Sequence, residues 1–198
     1  REQFGEQYLA RARPHPDFPS HVMVSSGTTG LPRCSLFSDN NTIVKLLQQY
    51  VRAARISSGD VAAALAPAGT GATGYNYPIL SMLLTGGTAV MLEHWNGSRI
   101  EEAIELIERH RCTLAVLVPA QLAKLVQFPA LEKYDVSALR VITNAGAKLP
   151  HSVAEAAEHL FGCKVQSIYG TSEAGATAMT SIGDPDEKRR HTVGRPLD

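Results

Sequence analysis

The fold of this protein is decided by residues 112–118, CTLAVLV, an almost purely apolar stretch that ends before Pro119. The stretch predicts a strand, and near-continuous apolar strands are typical of a parallel sheet that is covered on both faces. Similar short runs alternate with helical patterns along the chain, at residues 21–25, 61–66, 88–92, 139–143 and 164–169. This alternation indicates βαβ units, and we therefore predict an α/β fold with a mainly parallel sheet flanked by helices.

Two of the predicted helices carry a capping box at their start. Ser98 stands three residues before Glu101, and Ser152 stands three residues before Glu155. At this spacing the serine caps one free backbone amide and the glutamate reaches back to another. We expect the second helix to end at Gly162, because glycine commonly terminates helices.

The two ends of the chain differ from its middle. Residues 1–20 contain three prolines and are predicted to be a lead-in linker, which leaves residues 21–198 as the α/β portion. Residues 164–169 are the last predicted strand, and residues 183–190 are predicted to be a polar loop that carries the basic cluster 188–190 on its surface. The missing initiator methionine and the abrupt end lead us to expect a central piece of a longer protein.

The composition predicts a folded protein and excludes several classes of partner. The 198 residues are 44% apolar, which is too apolar for a disordered chain. Nineteen Lys and Arg offset nineteen Asp and Glu, so the formal net charge is zero. We therefore expect no net positive electrostatic field that would attract nucleic acid or an anionic membrane. No apolar run approaches the roughly 20 residues that span a bilayer. Three scattered cysteines without a CxxC pair predict free thiols and a cytoplasmic protein. The sequence does not indicate the oligomeric state.

The first candidate for chemistry follows a predicted strand and reads VSSGTTGLPR over residues 24–33. Its small and hydroxylated residues leave amides and hydroxyls open to a ligand, and Gly27 and Gly30 allow close approach of the backbone. Arg33 adds a full charge, so the loop is able to wrap a polyphosphate. It lacks the Lys-Ser/Thr pair of the P-loop pattern, and an ordinary exposed turn is the alternative.

Two more candidates follow later strands. Residues 168–175, IYGTSEAG, offer a flat aromatic ring, two hydroxyls and, at Glu173, a carboxylate that suits a hard cation such as Mg²⁺. Residues 144–150, NAGAKLP, form a small-residue turn whose backbone can pack against a planar base. In open α/β sheets, ligands bind beyond the carboxyl ends of the strands, where both segments are expected. Taken alone, each is equally well explained as a plain turn.

Residues 25–33 and 169–173 together resemble the motifs of the adenylate-forming enzymes, the superfamily of acyl- and aryl-CoA ligases, luciferases and peptide-synthetase adenylation domains. The resemblance covers most of residues 20–198. It implies that residues 21–198 are the nucleotide-binding portion of the large N-terminal domain of such an enzyme. The implied reaction is attack of a carboxylic acid on the α-phosphorus of ATP, which gives an acyl-adenylate and pyrophosphate. A thiol, usually that of coenzyme A, then displaces AMP.

The resemblance also implies a role for each motif residue. Residues 25–33 hold the β- and γ-phosphates of ATP, and Tyr169 packs on adenine against the turn at residues 146–147. Ser172 faces the α-phosphate, and Glu173 coordinates Mg²⁺. The implied catalytic residues are Thr28, Arg33 and Glu173, and the implied nucleotide-binding residues are Ser25, Ser26, Gly27, Thr28, Thr29, Gly30, Arg33, Gly146, Ala147, Tyr169, Gly170, Thr171 and Ser172.

The sequence departs from the family pattern in several places. Arg33 stands where the family usually has Lys, and Ser172 stands where it more often has Thr. Residues 67–78, PAGTGATGYNYP, lack the histidine of the family's aromatic-His element, and this segment either widens the acyl pocket or is a plain loop. The resemblance implies that the family's C-terminal lid with its catalytic lysine would fall after residue 198, so we expect poor turnover by the isolated chain. An adenylation domain that loads a carrier-protein thiol and an inactive nucleotide-binding fragment are the alternatives.

Overall fold

The structure is a computed structural model that describes residues 15–25, 30–92, 95 and 98–197, without the side chains of residues 47–49. The strands are Pro19–Ser25 (β1), Arg33–Ser38 (β2), Val61–Ala64 (β3), Thr88–Met91 (β4), Leu114–Leu117 (β5), Val141–Asn144 (β6), Lys164–Thr171 (β7), Gly175–Met179 (β8) and Arg195–Pro196 (β9). The α-helices are Asp39–Lys45 (α1), Arg52–Ala54 (α2), Ser81–Thr85 (α3), Ile100–Arg109 (α4), Pro119–Val126 (α5), His151–Phe161 (α6) and Asp186–His191 (α7). Further helical turns are the 3₁₀ segments Ala68–Thr70 and Leu131–Lys133 and the π-helical segments Leu46–Val51 and Ala72–Leu80.

Seven strands form the main sheet in the order β4-β3-β5-β6-β7-β8-β9. The pairs from β4 to β7 are all parallel, and β8 and β9 add antiparallel strands at one side. Strands β1 and β2 form a separate antiparallel hairpin. The predicted α/β fold with a mainly parallel sheet is therefore confirmed.

Strand β5 lies in the middle of the parallel part, and all four of its residues are buried. Leu114 and Val116 belong to one apolar cluster, with the π-helical segments and α2 and α3. Ala115 and Leu117 belong to a second cluster, with α4, α5 and α6. Successive side chains of a strand point to opposite faces, so an apolar residue at every position indicates that helices cover both faces.

Both predicted capping boxes are wrong. The N-cap of α4 is Arg99 and that of α6 is Pro150, and neither side chain makes a capping hydrogen bond. The carboxylate of Glu101 instead accepts a 2.6 Å hydrogen bond from the Tyr134 hydroxyl. Glu155 lies 3.7 Å from the guanidinium of Arg190. The two glutamate carboxylates thus contact residues from other parts of the fold instead of capping the helices.

The end of the chain is more ordered than the sequence predicts. Two strands, β8 and β9, follow the segment that we expect to be the last strand, and helix α7 occupies most of the predicted polar loop. Arg189 of the basic cluster is 1% exposed, so its predicted position on a loop surface is wrong. Its guanidinium pairs with Glu158 of α6 and with Asp186 of α7, and it donates a 2.9 Å hydrogen bond to the Val165 carbonyl of β7.

Most of the predicted lead-in linker, residues 1–14, falls outside the described part of the chain, and Pro19 and Ser20 already belong to β1. Among the residues described, none of the helices combines the length and the apolar character that a membrane crossing requires.

Candidate active site

The candidate site lies where the parallel strands end. The carboxyl ends of β5, β6 and β7 reach the same edge of the sheet because these strands pair in parallel. The turn at residues 145–147 follows β6, and the turn at residues 171–175 follows the last residues of β7. Ligands of open α/β sheets bind beyond this edge, so two of the three predicted motifs stand where chemistry is expected.

Glu173 links the second motif to the first. Its own backbone amide and the side chains of Ser25 and Thr171 act on its carboxyl, and so does the charge of Arg33. Together these hold the pKa of the Glu173 carboxyl below its ordinary value of 4.5, so the carboxylate is ionised at neutral pH. Two segments that are distant in sequence thus meet at one carboxylate.

The phosphate-loop candidate is described at its two ends. Ser25 closes β1 and pairs in register with Arg33, the first residue of β2. Gly30 and Arg33 are exposed, whereas Ser26, Gly27, Thr28 and Thr29 lie outside the described residues. Because Ser25 and Arg33 both act on Glu173, both ends of the loop are held beside the turn that carries the carboxylate.

The turn after β7 is shaped by close backbone contacts. The Thr171 hydroxyl accepts a 3.1 Å hydrogen bond from the Ala174 amide, which closes the turn around Ser172 and Glu173. The strand pairing shifts register between Tyr169 and Gly170. Tyr169 is 56% exposed, so its ring is free to cover a flat ligand.

Gly170 is required by the approach of β8. A Cβ atom at Gly170 would lie 2.2 Å from the carbonyl oxygen of Gly175 and 2.7 Å from the Cα of Ala176. We therefore expect Gly170→Ala to force the strands apart and to cost about 1–3 kcal/mol of the free energy of unfolding. Chemical denaturation measures this loss, and Gly69→Ala is the control, because nothing lies within 4 Å of a Cβ there. An equal effect of both substitutions would contradict this account.

A cavity of about 250 Å³ opens between the hairpin, α1, the second π-helical segment and the turns after β6 and β7. Its lining residues are Met23, Phe37, Thr42, Lys45, Leu46, Tyr50, Thr70, Ala72, Thr73, Asn76, Ala145, Gly146, Ile168, Gly170, Thr171, Ser172, Gly175 and Ala176. Four of the predicted nucleotide-binding residues, Gly146, Gly170, Thr171 and Ser172, are thus brought together in one wall. Ala147 is exposed and does not line this cavity.

The segment without histidine contributes to the same cavity. It is helical rather than a loop, and Thr70, Ala72, Thr73 and Asn76 stand in the wall. Tyr77 points into the core, where its hydroxyl lies 2.8 Å from that of Thr143. The segment therefore shapes the pocket and packs the core at once.

Two residues of the cavity wall, Thr42 and Lys45, were not predicted from the sequence, because they lie on α1, which carries no recognisable motif. The Lys45 ammonium donates a hydrogen bond to the Ala174 carbonyl and lies 5.4 Å from the centre of the Phe37 ring. Burial lowers the pKa of Lys45. Lys45 thereby ties α1 to the turn that carries Glu173, and Thr42 lies one helical turn before it.

The donor set suits Mg²⁺ only together with a ligand. Within the described residues, no three His, Cys, Asp or Glu side chains are grouped so that they alone hold a metal ion. Mg²⁺ is commonly bound by one or two carboxylates together with substrate phosphates. The ionised Glu173 fits the role of the single protein carboxylate.

Comparison with known proteins agrees with this geometry. The family described as AMP-binding enzyme matches residues 2–198. The chain is 28% identical to 2-hydroxy-7-methoxy-5-methyl-1-naphthoate–CoA ligase of Streptomyces carzinostaticus, over 96% of this chain and 33% of the relative. It is 32% identical to the salicyl-AMP ligase / salicyl-S-ArCP synthetase of Mycobacterium tuberculosis, over 92% of this chain and 31% of the relative. The chain thus spans about a third of the length of these relatives.

The fold of the chain is also similar to that of a solved CoA ligase. The crystal structure of the anthranilate CoA ligase AuaEII superposes with a TM-score of 0.84, at 20% identity, over 93% of this chain and 35% of that one. This chain therefore shares the fold of that part of the ligase. Because the family match extends over nearly the whole chain, this chain belongs to the AMP-binding enzyme family.

Proposed function

We propose that this site activates a carboxylic acid with ATP, forming an acyl-adenylate and pyrophosphate. The carboxylate oxygen of the acid attacks the α-phosphorus, the bond between the α-phosphorus and the bridging oxygen breaks, and pyrophosphate leaves with the electron pair. The single observation that carries the proposal is that the Ser25 side chain and Arg33 both act on the Glu173 carboxyl, which brings the two motif segments together at one edge of the sheet.

The chain's own residues have distinct tasks in this proposal. Residues 25–33 hold the β- and γ-phosphates, with Arg33 supplying positive charge, and Tyr169 covers the adenine. Ser172 donates its hydroxyl to the α-phosphate. Glu173 would hold Mg²⁺, and the bound ion would supply positive charge against the negative charge of the leaving pyrophosphate. Because the donors stand in place before the reaction, little reorganisation is needed in the transition state.

The acyl group then passes to a thiol, and we propose coenzyme A as the acceptor, with sulfur displacing AMP at the acyl carbon. The relative from Streptomyces carzinostaticus is a CoA ligase by name. The Mycobacterium tuberculosis relative is named as a salicyl-S-ArCP synthetase, so a carrier-protein thiol is the second candidate. A cytoplasmic location and the absence of a nucleic-acid partner remain predictions from composition.

The test is exchange of labelled pyrophosphate into ATP by the full-length protein, with a panel of aliphatic and aryl acids. We expect exchange that requires both an acid and Mg²⁺. Absence of exchange with every acid favours the inactive nucleotide-binding fragment. Coenzyme A and a carrier protein bearing phosphopantetheine are then offered in parallel, and the thioester that forms identifies the acceptor.

A further inference from the structure

One hydroxyl in the wall of the cavity has nothing to bind. Thr42 is 7% exposed, and its Oγ1 is buried without a hydrogen-bond partner. Among the described residues, three other buried side-chain atoms lack a partner, in His21, Trp95 and Asn144, and none of these residues lines the cavity. Buried polar groups are normally paired, and an unpaired one needs an explanation.

The surroundings of Thr42 show what kind of ligand the hydroxyl faces. The cavity is continuous with Thr171 and Ser172, beside the turn that carries Glu173. Lys45 stands one turn along the same face of α1, and it binds the Ala174 carbonyl. Thr42 therefore stands in the cavity wall one helical turn before the residue that contacts the turn carrying Glu173.

The size and walls of the cavity restrict the body of the ligand. A cavity of about 150 Å³ with apolar walls holds one benzene molecule. Gly146, Gly170, Thr171 and Ser172 are assigned to the nucleotide, so the acid has only part of the 250 Å³ found here, which limits it to about one ring with small substituents. Phe37 and Tyr50 supply aromatic walls, which favour a flat ring over a flexible chain.

We propose that the acid is a compact ring carboxylate with a hydroxyl or amino substituent, and that Thr42 determines this preference by hydrogen bonding to the substituent. This inference rests on the proposed function and names its substrate class. Threonine both donates and accepts, so either substituent completes the pairing of Oγ1. Without a partner the hydroxyl is a cost to the free protein, and the substituent removes that cost on binding.

The experiment uses the full-length protein with Thr42→Val, which keeps the shape of the side chain and removes the hydroxyl. Thr42→Ser is the matched control that keeps the hydroxyl. Benzoate, the three hydroxybenzoates, the three aminobenzoates and octanoate are compared by pyrophosphate exchange and by direct titration of acid binding. Thermal unfolding of the free variants reports their folding.

We expect the wild-type protein to prefer one substituted benzoate over benzoate by about tenfold in kcat/KM, the effect of one hydrogen bond. Thr42→Val should abolish this ratio by weakening the substituted acid alone, and Thr42→Ser should retain it. The free Thr42→Val protein should unfold at an equal or higher temperature, because it no longer buries an unpaired hydroxyl.

Three results overturn the inference. If Thr42→Val lowers the rates with benzoate and its substituted forms equally, or lowers neither, Thr42 does not read a substituent, although the proposed function stands. If octanoate or benzoate is the preferred acid of the wild-type protein, the substrate class is wrong. If no acid supports exchange, the proposed function itself fails and this inference fails with it.

Discussion

Glu173→Gln is expected to lower acid-dependent pyrophosphate exchange at least about a hundredfold, the effect of removing one preorganised electrostatic contact from such a site. Glutamine keeps the shape of the side chain, and its carbonyl can still accept a hydrogen bond. It cannot supply the negative charge that Mg²⁺ requires. We therefore expect a higher Mg²⁺ requirement together with the lower rate, measured by exchange over a range of Mg²⁺ concentrations.

The matched control for this substitution is Glu132→Gln, at an exposed glutamate of the 3₁₀ segment Leu131–Lys133, which should leave exchange unchanged. The pKa of Glu173 lies below 4.5, so titration of this carboxyl should not reduce the rate between pH 5 and pH 8. Retention of full activity by Glu173→Gln would exclude the proposed role of this carboxylate.

The second large effect is expected in stability, at the buried ion pair that closes the C-terminal part of the fold. The side chain of Arg189 is 0% exposed and that of Glu158 is 7% exposed. The Val165 amide donates to the same carboxylate at 2.9 Å, and Arg190 donates to it at 2.6 Å. Glu158→Gln leaves the buried guanidinium of Arg189 without this charge partner, and we expect a loss of about 3 kcal/mol in the free energy of unfolding.

Denaturant unfolding of the two proteins measures this loss, and Arg109→Ala is the control. Arg109 pairs with Glu105 at 4.0 Å on the surface, where an ion pair contributes about 0–1 kcal/mol. If Glu158→Gln unfolds with the same free energy as the wild-type protein, then α7 is not held by this pair. An Arg189→Met variant provides a second measurement from the other side of the pair.

The same ion pairs predict how stability depends on pH. Burial raises the pKa of Glu158, but the hydrogen bonds from Val165, Arg189 and Arg190 outweigh it, and the net pKa lies below the ordinary 4.5. The pKa of Asp186 is lowered to about 2 by its partners Lys164 and Arg189. A carboxyl whose pKa is lower in the folded than in the unfolded protein stabilises the fold at pH values above its unfolded-state pKa. This stabilisation is lost as the pH falls through the folded-state pKa. We expect unfolding free energies to decline below pH 4.5, and to decline less in Glu158→Gln.

The local sequence pattern was sufficient to predict an element correctly where a single interaction determines its structure. The strand predicted at residues 112–118 is found at Leu114–Leu117, where it is buried on both faces. Helix α6 ends at Gly162 as predicted, because this glycine adopts a left-handed backbone with φ of 61°. The two capping boxes fail because Glu101 and Glu155 find partners elsewhere in the fold. Helix α7 was missed because a run of charges usually lies in water, whereas here Arg189 is buried with its partners.

The amino-acid sequence by itself determined the α/β class and the two glycine-containing motifs, because strand periodicity and small-residue loops are properties of neighbouring residues. Only the tertiary structure decided that Ser25 and Glu173 meet, that α1 places Thr42 and Lys45 in the cavity wall, and that Arg189 is buried. Each of these contacts joins residues from different elements. Their positions depend on how the sheet, hairpin and helices pack, which no local pattern encodes.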